Sequence, residues 1–107
     1  MEMNQEIRNI TEAIKQAVPA DRIYLFGSHA YGTPSVDSDY DFFIVIPDNG
    51  PPPLEAAKKA RRSLVDIDRE TPVDILADYC SSFDSRKQLN TLERKIFHEG
   101  VVLYERV

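Results

Sequence analysis

The sequence is poor in the features that mark secreted, membrane or repetitive proteins. Cys80 is the single cysteine among 107 residues, so an internal disulfide is excluded and a reducing, cytoplasmic setting is expected. No apolar stretch near the N-terminus resembles a signal peptide or a membrane span. Internal repeats and low-complexity tracts are absent as well. These absences predict a globular protein without a membrane partner.

Charge and length narrow the classes further. The formal net charge is −5, which argues against direct binding of DNA or RNA, because neutralising their phosphates normally requires a basic face. A metal-bridged nucleotide remains compatible with this charge. Charged residues make up 29% and hydrophobic residues 42%, the balance of an ordinary globular domain. A chain of this length buries roughly 65% of its unfolded surface, so we predict one domain over 1–107.

The first half of the chain shows a helix followed by two strands. Apolar residues at spacings of three and four predict an amphipathic helix over 2–18, which Pro19 ends. A short apolar run predicts a buried strand over 23–26. After a loop of turn residues over 32–38, residues 39–46 predict a second strand that is apolar on both faces and therefore central.

The second half alternates helices with short strands. A proline-rich connection over 47–53 precedes a helix that begins near Leu54 and ends before Thr71. The other elements predicted from apolar spacing are a third strand, a last helix and a final strand, over 73–77, 85–99 and 101–104. This order predicts an α/β (α+β) fold, a small mixed sheet with helices packed against it.

Two aspartates on one predicted strand carry the first chemical signal. Asp39 and Asp41 are separated by one residue, so their carboxylates leave the same face and lie within reach of one ion. Two such anions repel each other unless a cation lies between them. Mg²⁺ is the ion that carboxylates typically hold together with substrate phosphates, and two such ions can clamp the attacking and leaving oxygens of a phosphoryl transfer. The pair therefore implies a phosphate substrate.

A third aspartate and a glycine turn add to this signal. Asp74 interrupts another apolar strand, where a carboxylate is costly unless it is solvated, hydrogen-bonded or bound to metal. If that strand lies beside the first, Asp74 completes a cluster and can accept the proton of an attacking hydroxyl. Gly27 and Ser28 directly follow a strand, so their backbone and hydroxyl can approach a phosphate closely. Each signal alone is common in surface turns and edge strands, but the conjunction is specific.

These motifs together resemble the minimal nucleotidyltransferases of the DNA polymerase β-like superfamily, many of which are antitoxin partners of HEPN-domain toxins. The matching stretches are Leu25-Phe26-Gly27-Ser28, Ser38-Asp39-Tyr40-Asp41 and Val73-Asp74-Ile75, and residues 96–104 are similar to the usual C-terminal end of the family. The resemblance covers most of the chain and implies the polymerase β-like nucleotidyltransferase fold.

The resemblance also implies a role for each matching residue. The implied metal ligands and catalytic residues are Asp39, Asp41 and Asp74, with Asp74 as the base. The implied nucleotide contacts are Gly27, Ser28 and Ser38.

Two positions depart from the family pattern. Many relatives carry Arg where this chain has His29 and Tyr31. Two positive charges are thus missing near the expected triphosphate position, which is expected to weaken NTP binding and leaves the carboxylates untouched. A lone loop histidine is more often solvated than a ligand, so His29 is expected to face water.

The implied activity is transfer of AMP from ATP, with two Mg²⁺ ions, to a hydroxyl of a partner protein. In the family the acceptor can be a tyrosine of the HEPN toxin, whose AMPylation silences it, so the chain is expected to act as an antitoxin. The short chain leaves little surface for an acceptor pocket, which favours a protein acceptor over a small molecule such as an aminoglycoside. The alternative is a binding module that neutralises the toxin by covering it, and the three intact aspartates argue against that.

The remaining polar groups have ordinary explanations. The basic run of Lys58, Lys59, Arg61 and Arg62 is predicted as a solvated helix face rather than a site for an acidic partner. His98 lies near a predicted helix end, where its charge is favourable with the helix dipole. Cys80 has no His or Cys neighbour at metal-ligand spacing and is predicted as a buried or merely tolerated thiol.

Overall fold

The structure is a computed structural model that describes residues 4–32 and 38–106. The predicted loop over 32–38 therefore falls largely outside the described residues, as does the side chain of Tyr31. The helices and strands within these ranges are α1 (Gln5–Ala17), β1 (Arg22–Phe26), α2 (Ser28–Tyr31), β2 (Tyr40–Ile46), α3 (Pro53–Ser63), β3 (Val73–Tyr79), α4 (Cys80–Arg86), α5 (Leu92–Glu99) and β4 (Val101–Glu105).

The strands form a four-stranded sheet in the order β3-β2-β1-β4. β2 pairs parallel with β3 and antiparallel with β1, and β1 pairs antiparallel with β4. β2 is thus an inner strand, as its apolar sequence predicts, and every residue from Phe42 to Ile46 is buried. The predicted small mixed sheet with helices packed against it is confirmed.

One face of the sheet is covered by α1 and α3. Asn4 caps α1, because its side-chain oxygen accepts a hydrogen bond from the Ile7 N–H at 2.8 Å. Ile7, Ile10 and Ile14 then recur on one side of the helix and are buried. Burial of each such side chain stabilises the fold by roughly 1.5–3 kcal/mol. The buried positions of α3 are all alanines, which lets this helix approach the sheet closely.

The opposite face carries a smaller aromatic cluster under α4 and α5. Phe83 of α4 is fully buried against Tyr24 and Phe43 of the sheet, with ring centroids 5.5 and 5.3 Å apart. Ile96 of α5 is buried in the same cluster. Leu76 of β3 projects to this face but stays 40% exposed, so the helices leave its edge open to solvent.

The prediction of one helix over 85–99 is wrong, because two helices occupy this region. Thr91 breaks the helix: its hydroxyl donates to the Arg86 carbonyl at 2.7 Å and accepts from the Arg94 N–H at 3.3 Å. The Thr91 side chain thus hydrogen-bonds to the backbone both at the end of α4 and at the start of α5. Leu89, which fits the helical spacing, lies in the connection and is 59% exposed.

Other boundaries differ by a few residues from those predicted. α3 ends at Ser63, which is before Thr71 as predicted, and β3 continues to Tyr79 rather than ending at residue 77. The turn predicted after β1 forms the short helix α2. No helix among the described residues combines the length and apolar character needed to cross a membrane.

Candidate active site

Gly27, Asp41 and Asp74 meet at one end of the sheet. Asp41 is the second residue of β2, Asp74 is the second residue of β3, and the two are direct partners in the parallel register. Phe26 ends β1 and is the antiparallel partner of Asp41, so Gly27 follows at the same end. Since paired residues project to the same face, the side chains of Asp41 and Asp74 stand next to each other. The condition on which the predicted carboxylate cluster depended is therefore met.

Gly27 brings the turn after β1 directly against the Asp41 carboxylate. Its φ of 78° and ψ of −160° lie in a region that glycine alone adopts without strain. A Cβ at this position would overlap Oδ2 of Asp41. The close backbone approach that the glycine permits is thus made to Asp41, at the point where Ser28 begins α2.

Among the residues that the structure describes, the charge of Asp41 has little compensation. Burial raises the pKa of its carboxyl group, and repulsion from Asp74 and Asp39 raises that pKa further. His29 acts in the opposite direction on the same pKa. The three aspartates thus interact electrostatically as a group, and a cation between them would relieve the repulsion.

The aspartates differ in their exposure to solvent. Asp41 is half-buried, whereas Asp74 and Asp39, the residue just before β2, are exposed. Over residues 4–32 and 38–106, no three Asp, Glu, His or Cys side chains are already arranged closely enough to hold a metal ion.

His29 belongs to this site, and the prediction that it is a solvated loop side chain is wrong. It lies in α2, is half-buried, and its Nε2 is 3.1 Å from the Ser38 carbonyl oxygen. Its ring meets that of Tyr40 edge to face, with centroids 4.6 Å apart. Tyr40 is buried, and its hydroxyl accepts a hydrogen bond from the Asn4 amide. His29 thereby ties α2 to the segment that carries the first two aspartates.

Ser28 and Ser38, predicted as nucleotide contacts, lie on either side of this arrangement. Ser28 is half-buried at the start of α2, and Ser38 is half-buried next to Asp39. The stretch between α2 and Ser38 includes residues outside the described ranges. The structure brings both serines to the carboxylate end of the sheet, and their contact with a nucleotide stays a prediction.

Cys80 lies apart from the carboxylates. It follows the last residue of β3, six residues after Asp74, which corresponds to about 20 Å along a strand. Its sulfur is 3.5 Å from Nη2 of Arg22 and 3.6 Å from Oδ2 of Asp84. Burial raises the pKa of this thiol, so it is not activated as a nucleophile.

The fold and its carboxylate end define the class of protein. Gly27, Asp41 and Asp74, which meet at one end of the mixed sheet, are the residues that the resemblance assigns to nucleotidyl transfer. Residues 7–103 match the family described as nucleotidyltransferase domain, so the chain belongs to that family. Members of this family transfer a nucleoside monophosphate from an NTP, and they generally use a divalent metal ion.

Among solved structures, the chain is similar to a Sulfolobus solfataricus protein described as a "putative nucleotidyltransferase". The match has a TM-score of 0.64 at 17% sequence identity and covers 95% of this chain and 79% of the other. At that identity the likeness shows the fold alone, and it agrees with the family. No curated protein matches the sequence significantly.

Proposed function

We propose that this protein is a Mg²⁺-dependent adenylyltransferase that moves AMP from ATP to the hydroxyl of a partner protein. The observation that supports this most is the direct pairing of Asp41 with Asp74 beside the Gly27 turn. The family supplies the general reaction, and ATP as donor and a single domain over 1–107 belong to the same proposal.

We assign the binding of two Mg²⁺ ions to Asp39, Asp41 and Asp74. The pKa of Asp41 is raised by burial and by the neighbouring charges of Asp74 and Asp39, which His29 opposes only in part. Carboxylate oxygens are also the ligands that Mg²⁺ prefers. When bound, the ions would offset charge on the triphosphate and on the attacking and leaving oxygens.

The other residues of the site then have separate tasks. Asp74 is exposed on its strand, so an acceptor hydroxyl can reach its carboxylate and transfer a proton to it. Gly27 and Ser28 receive the triphosphate where α2 begins. His29 opposes the effect of the other aspartates on the pKa of Asp41.

The proposed acceptor is a tyrosine of a HEPN-domain toxin, which the transfer silences in the cytoplasm. The support for this antitoxin role is the resemblance of the sequence to minimal nucleotidyltransferases. A neighbouring gene for a small helical protein with an Arg-x₄₋₆-His motif would strengthen it. Such a protein is also the partner to use in the test.

The test is incubation of the protein and this partner with Mg²⁺ and ATP labelled at either the α- or the γ-phosphate. We expect transfer of the α label alone, reduced roughly 100-fold or more in Asp41→Asn, because the variant loses a charged metal ligand. Transfer that persists in the variant would falsify the assigned mechanism. Binding of the partner without label from any NTP would instead identify a binding-only antitoxin.

A further inference from the structure

The outer edge of β3 lies beside the candidate active site and is open. β3 is the end strand of the sheet, and in the described part of the chain no strand pairs with its outer side. The Pro72 carbonyl points inward, because it accepts from the Tyr40 N–H at 3.0 Å. Along a strand, the backbone N–H and C=O groups of successive residues point to opposite sides. The outward-pointing groups of β3 therefore belong to Val73, Ile75 and Ala77. The Ile75 carbonyl also points outward, since it accepts from the exposed Arg61 side chain at 3.4 Å, a hydrogen bond that an added strand would replace.

This edge continues the row that contains the aspartates. Asp41 and Asp74 are register partners on adjacent strands and project to one face. A further strand paired with β3 would lie about 4.8 Å from it. The residue of that strand opposite Asp74 would project to the same face, with its Cβ about 5 Å from that of Asp74. A hydroxyl on this residue is thereby brought to the carboxylates.

A groove lies on the other face of the same edge. It has a volume of about 330 Å³ and is formed between α3 and β3, with Leu54, Ala57 and Arg61 on one side and Ile75 and Ala77 on the other. Leu54 is 65% exposed there. Neighbours of the hydroxyl residue along an added strand would face this groove, because side chains alternate. The groove fits an apolar side chain at those neighbouring positions.

The charges around the outer edge of β3 determine which kind of segment can pair with it. Asp74 and Asp78 line the carboxylate face of β3, whereas Lys58 and Arg61 are exposed on α3 at the opposite face. A second copy of β3 pairing antiparallel about Leu76 would place Asp74 opposite Asp78, which is unfavourable. A foreign segment avoids this repulsion when its carboxylate-facing side has hydroxyl or basic residues and no acidic ones.

We propose that the acceptor of the transfer reaction binds as an extended polypeptide segment paired with the outer edge of β3. Its hydroxyl residue lies opposite Asp74, and an adjacent apolar residue fills the groove beside Leu54. The hydroxyl oxygen bonds to the α-phosphorus, the bond from that phosphorus to the bridging oxygen breaks, pyrophosphate leaves, and the hydroxyl proton passes to Asp74. This inference rests on the proposed function, for which it supplies the class of acceptor.

Synthetic peptides of nine residues test the pairing. Each carries a central Tyr, Ser or Thr in a background of Val and Lys that has no other hydroxyl, with either Leu or Ala on both sides of the central residue. With Mg²⁺ and α-labelled ATP, we expect the Leu-flanked peptides to be labelled roughly 10-fold faster or more, since burial of one apolar side chain is worth at least that factor. Equal labelling of both sets would overturn the inference while leaving the transfer reaction intact.

Two variants with the same change of charge distinguish an effect at the groove from an effect at the surface just beyond α3. Leu54→Glu places a charge in the groove and should raise the peptide KM roughly 10-fold or more. Val65→Glu is the control, because Val65 is 77% exposed just beyond the same helix and does not line the groove. We expect it to label peptides as the wild-type protein does. Equal KM values for the two variants would contradict the proposed groove.

Hydrogen exchange makes the pairing testable even without transfer. Pairing predicts slower exchange of the Val73, Ile75 and Ala77 amides when the Leu-flanked peptide is added. If no NTP gives label but these amides are protected, the proposed transfer fails and the pairing stands. Unchanged exchange with bound peptide, or protection explained by dimerisation of the protein, would overturn the pairing.

Discussion

The two ends of one face of the sheet differ in how far the negative charge of an aspartate is compensated. At the carboxylate end, Asp41 is surrounded by further aspartates, and only His29 opposes the repulsion. At the other end, Arg22 begins β1 and donates to Asp84 of α4 at 2.9 Å, and Lys87 reaches the same carboxylate at 3.0 Å. Burial works against ionisation of Asp84, but the hydrogen bonds from these two cations lower its pKa.

This difference separates charge that is paired within the fold from charge that the proposed Mg²⁺ ions would offset. The Arg22 guanidinium also lies 5.2 Å from the centroid of the Phe83 ring, so the ion pair is continuous with the aromatic cluster. The aspartates have no comparable cation in the described part of the chain. Local violation of charge balance is typical of functional sites, because the compensating charge arrives with the substrate or metal.

The largest effect is expected from a change that breaks the carboxylate end. Gly27→Ala places a side chain in a backbone region with φ of 78° and onto Oδ2 of Asp41. Such backbone strain costs about 1–3 kcal/mol. Displacement of Asp41 should also remove nucleotide transfer. Urea unfolding measures the first effect, and the α-label assay measures the second.

A double variant separates strain from the clash at Gly27. Asp41→Ala removes the overlapping carboxylate and leaves the backbone strain in place. We therefore expect Asp41→Ala to raise the unfolding free energy more in the Gly27→Ala background than in the wild-type background. Equal increments would show that the carboxylate does not press on the turn.

A moderate effect is expected at the opposite end. Arg22→Met keeps an apolar stem but removes the hydrogen bonds to Asp84 and to the Tyr24 hydroxyl. The Arg22 side chain is 12% exposed and that of Asp84 is 44% exposed, so screening limits the loss to about 1–2 kcal/mol. Urea unfolding measures this loss, and transfer should be retained because the aspartates lie at the other end of the sheet.

The control for this change is an ion pair of lesser burial. Glu12→Gln removes the charge of Glu12 from its exposed pair with Lys15, leaves Lys15 over the Tyr104 ring, and should cost at most about 0.5 kcal/mol. A loss for Arg22→Met no larger than this would show that the Arg22 end of the sheet contributes little to stability. The contrast between the two ends would then rest on the aspartates alone.

The range of each interaction explains what could be predicted from sequence. Gly27 and Asp41 could be proposed as site residues because each is marked locally, Gly27 by a turn after a strand and Asp41 by a second aspartate two residues before it. The adjacency of Asp74 depended on strand order, which spacing along the chain does not determine. His29 was misjudged because its partners, Ser38 and Tyr40, follow it by nine and eleven residues, and no local pattern signals a ring contact across a loop.

The break between α4 and α5 was missed for a different reason. Apolar spacing suggested a continuous helix, and Leu89 and Leu92 fit that spacing. Thr91 is a strong N-cap residue, yet a threonine within a helix is also common, so the cap becomes evident only with its partners. Its hydroxyl contacts Arg86 and Arg94, on either side of the break.

The smallest effect is the pH dependence of stability, which compares the two ends most directly. The pKa of Asp41 is raised in the folded protein above its ordinary value of 3.8, first by burial and then by the other aspartates. Folded Asp41 therefore binds its proton more tightly than unfolded Asp41. The resulting stability is lost as pH rises from 3.8 through the higher pKa of the folded protein. Asp41→Asn should be more stable than the wild-type protein at neutral pH and should lose that advantage in acid.

Asp84→Asn should behave in the opposite sense. The pKa of Asp84 is lowered because the hydrogen bonds from Arg22 and Lys87 outweigh burial, so its contribution is present above 3.8 and is lost as pH falls through the folded value. The variant should be less stable than the wild-type protein at neutral pH, and the gap should close in acid. Urea unfolding of both variants across this range gives the two gaps. If both variants were more stable than the wild-type protein at neutral pH, or both less stable, the proposed difference between the two ends of the sheet would be wrong.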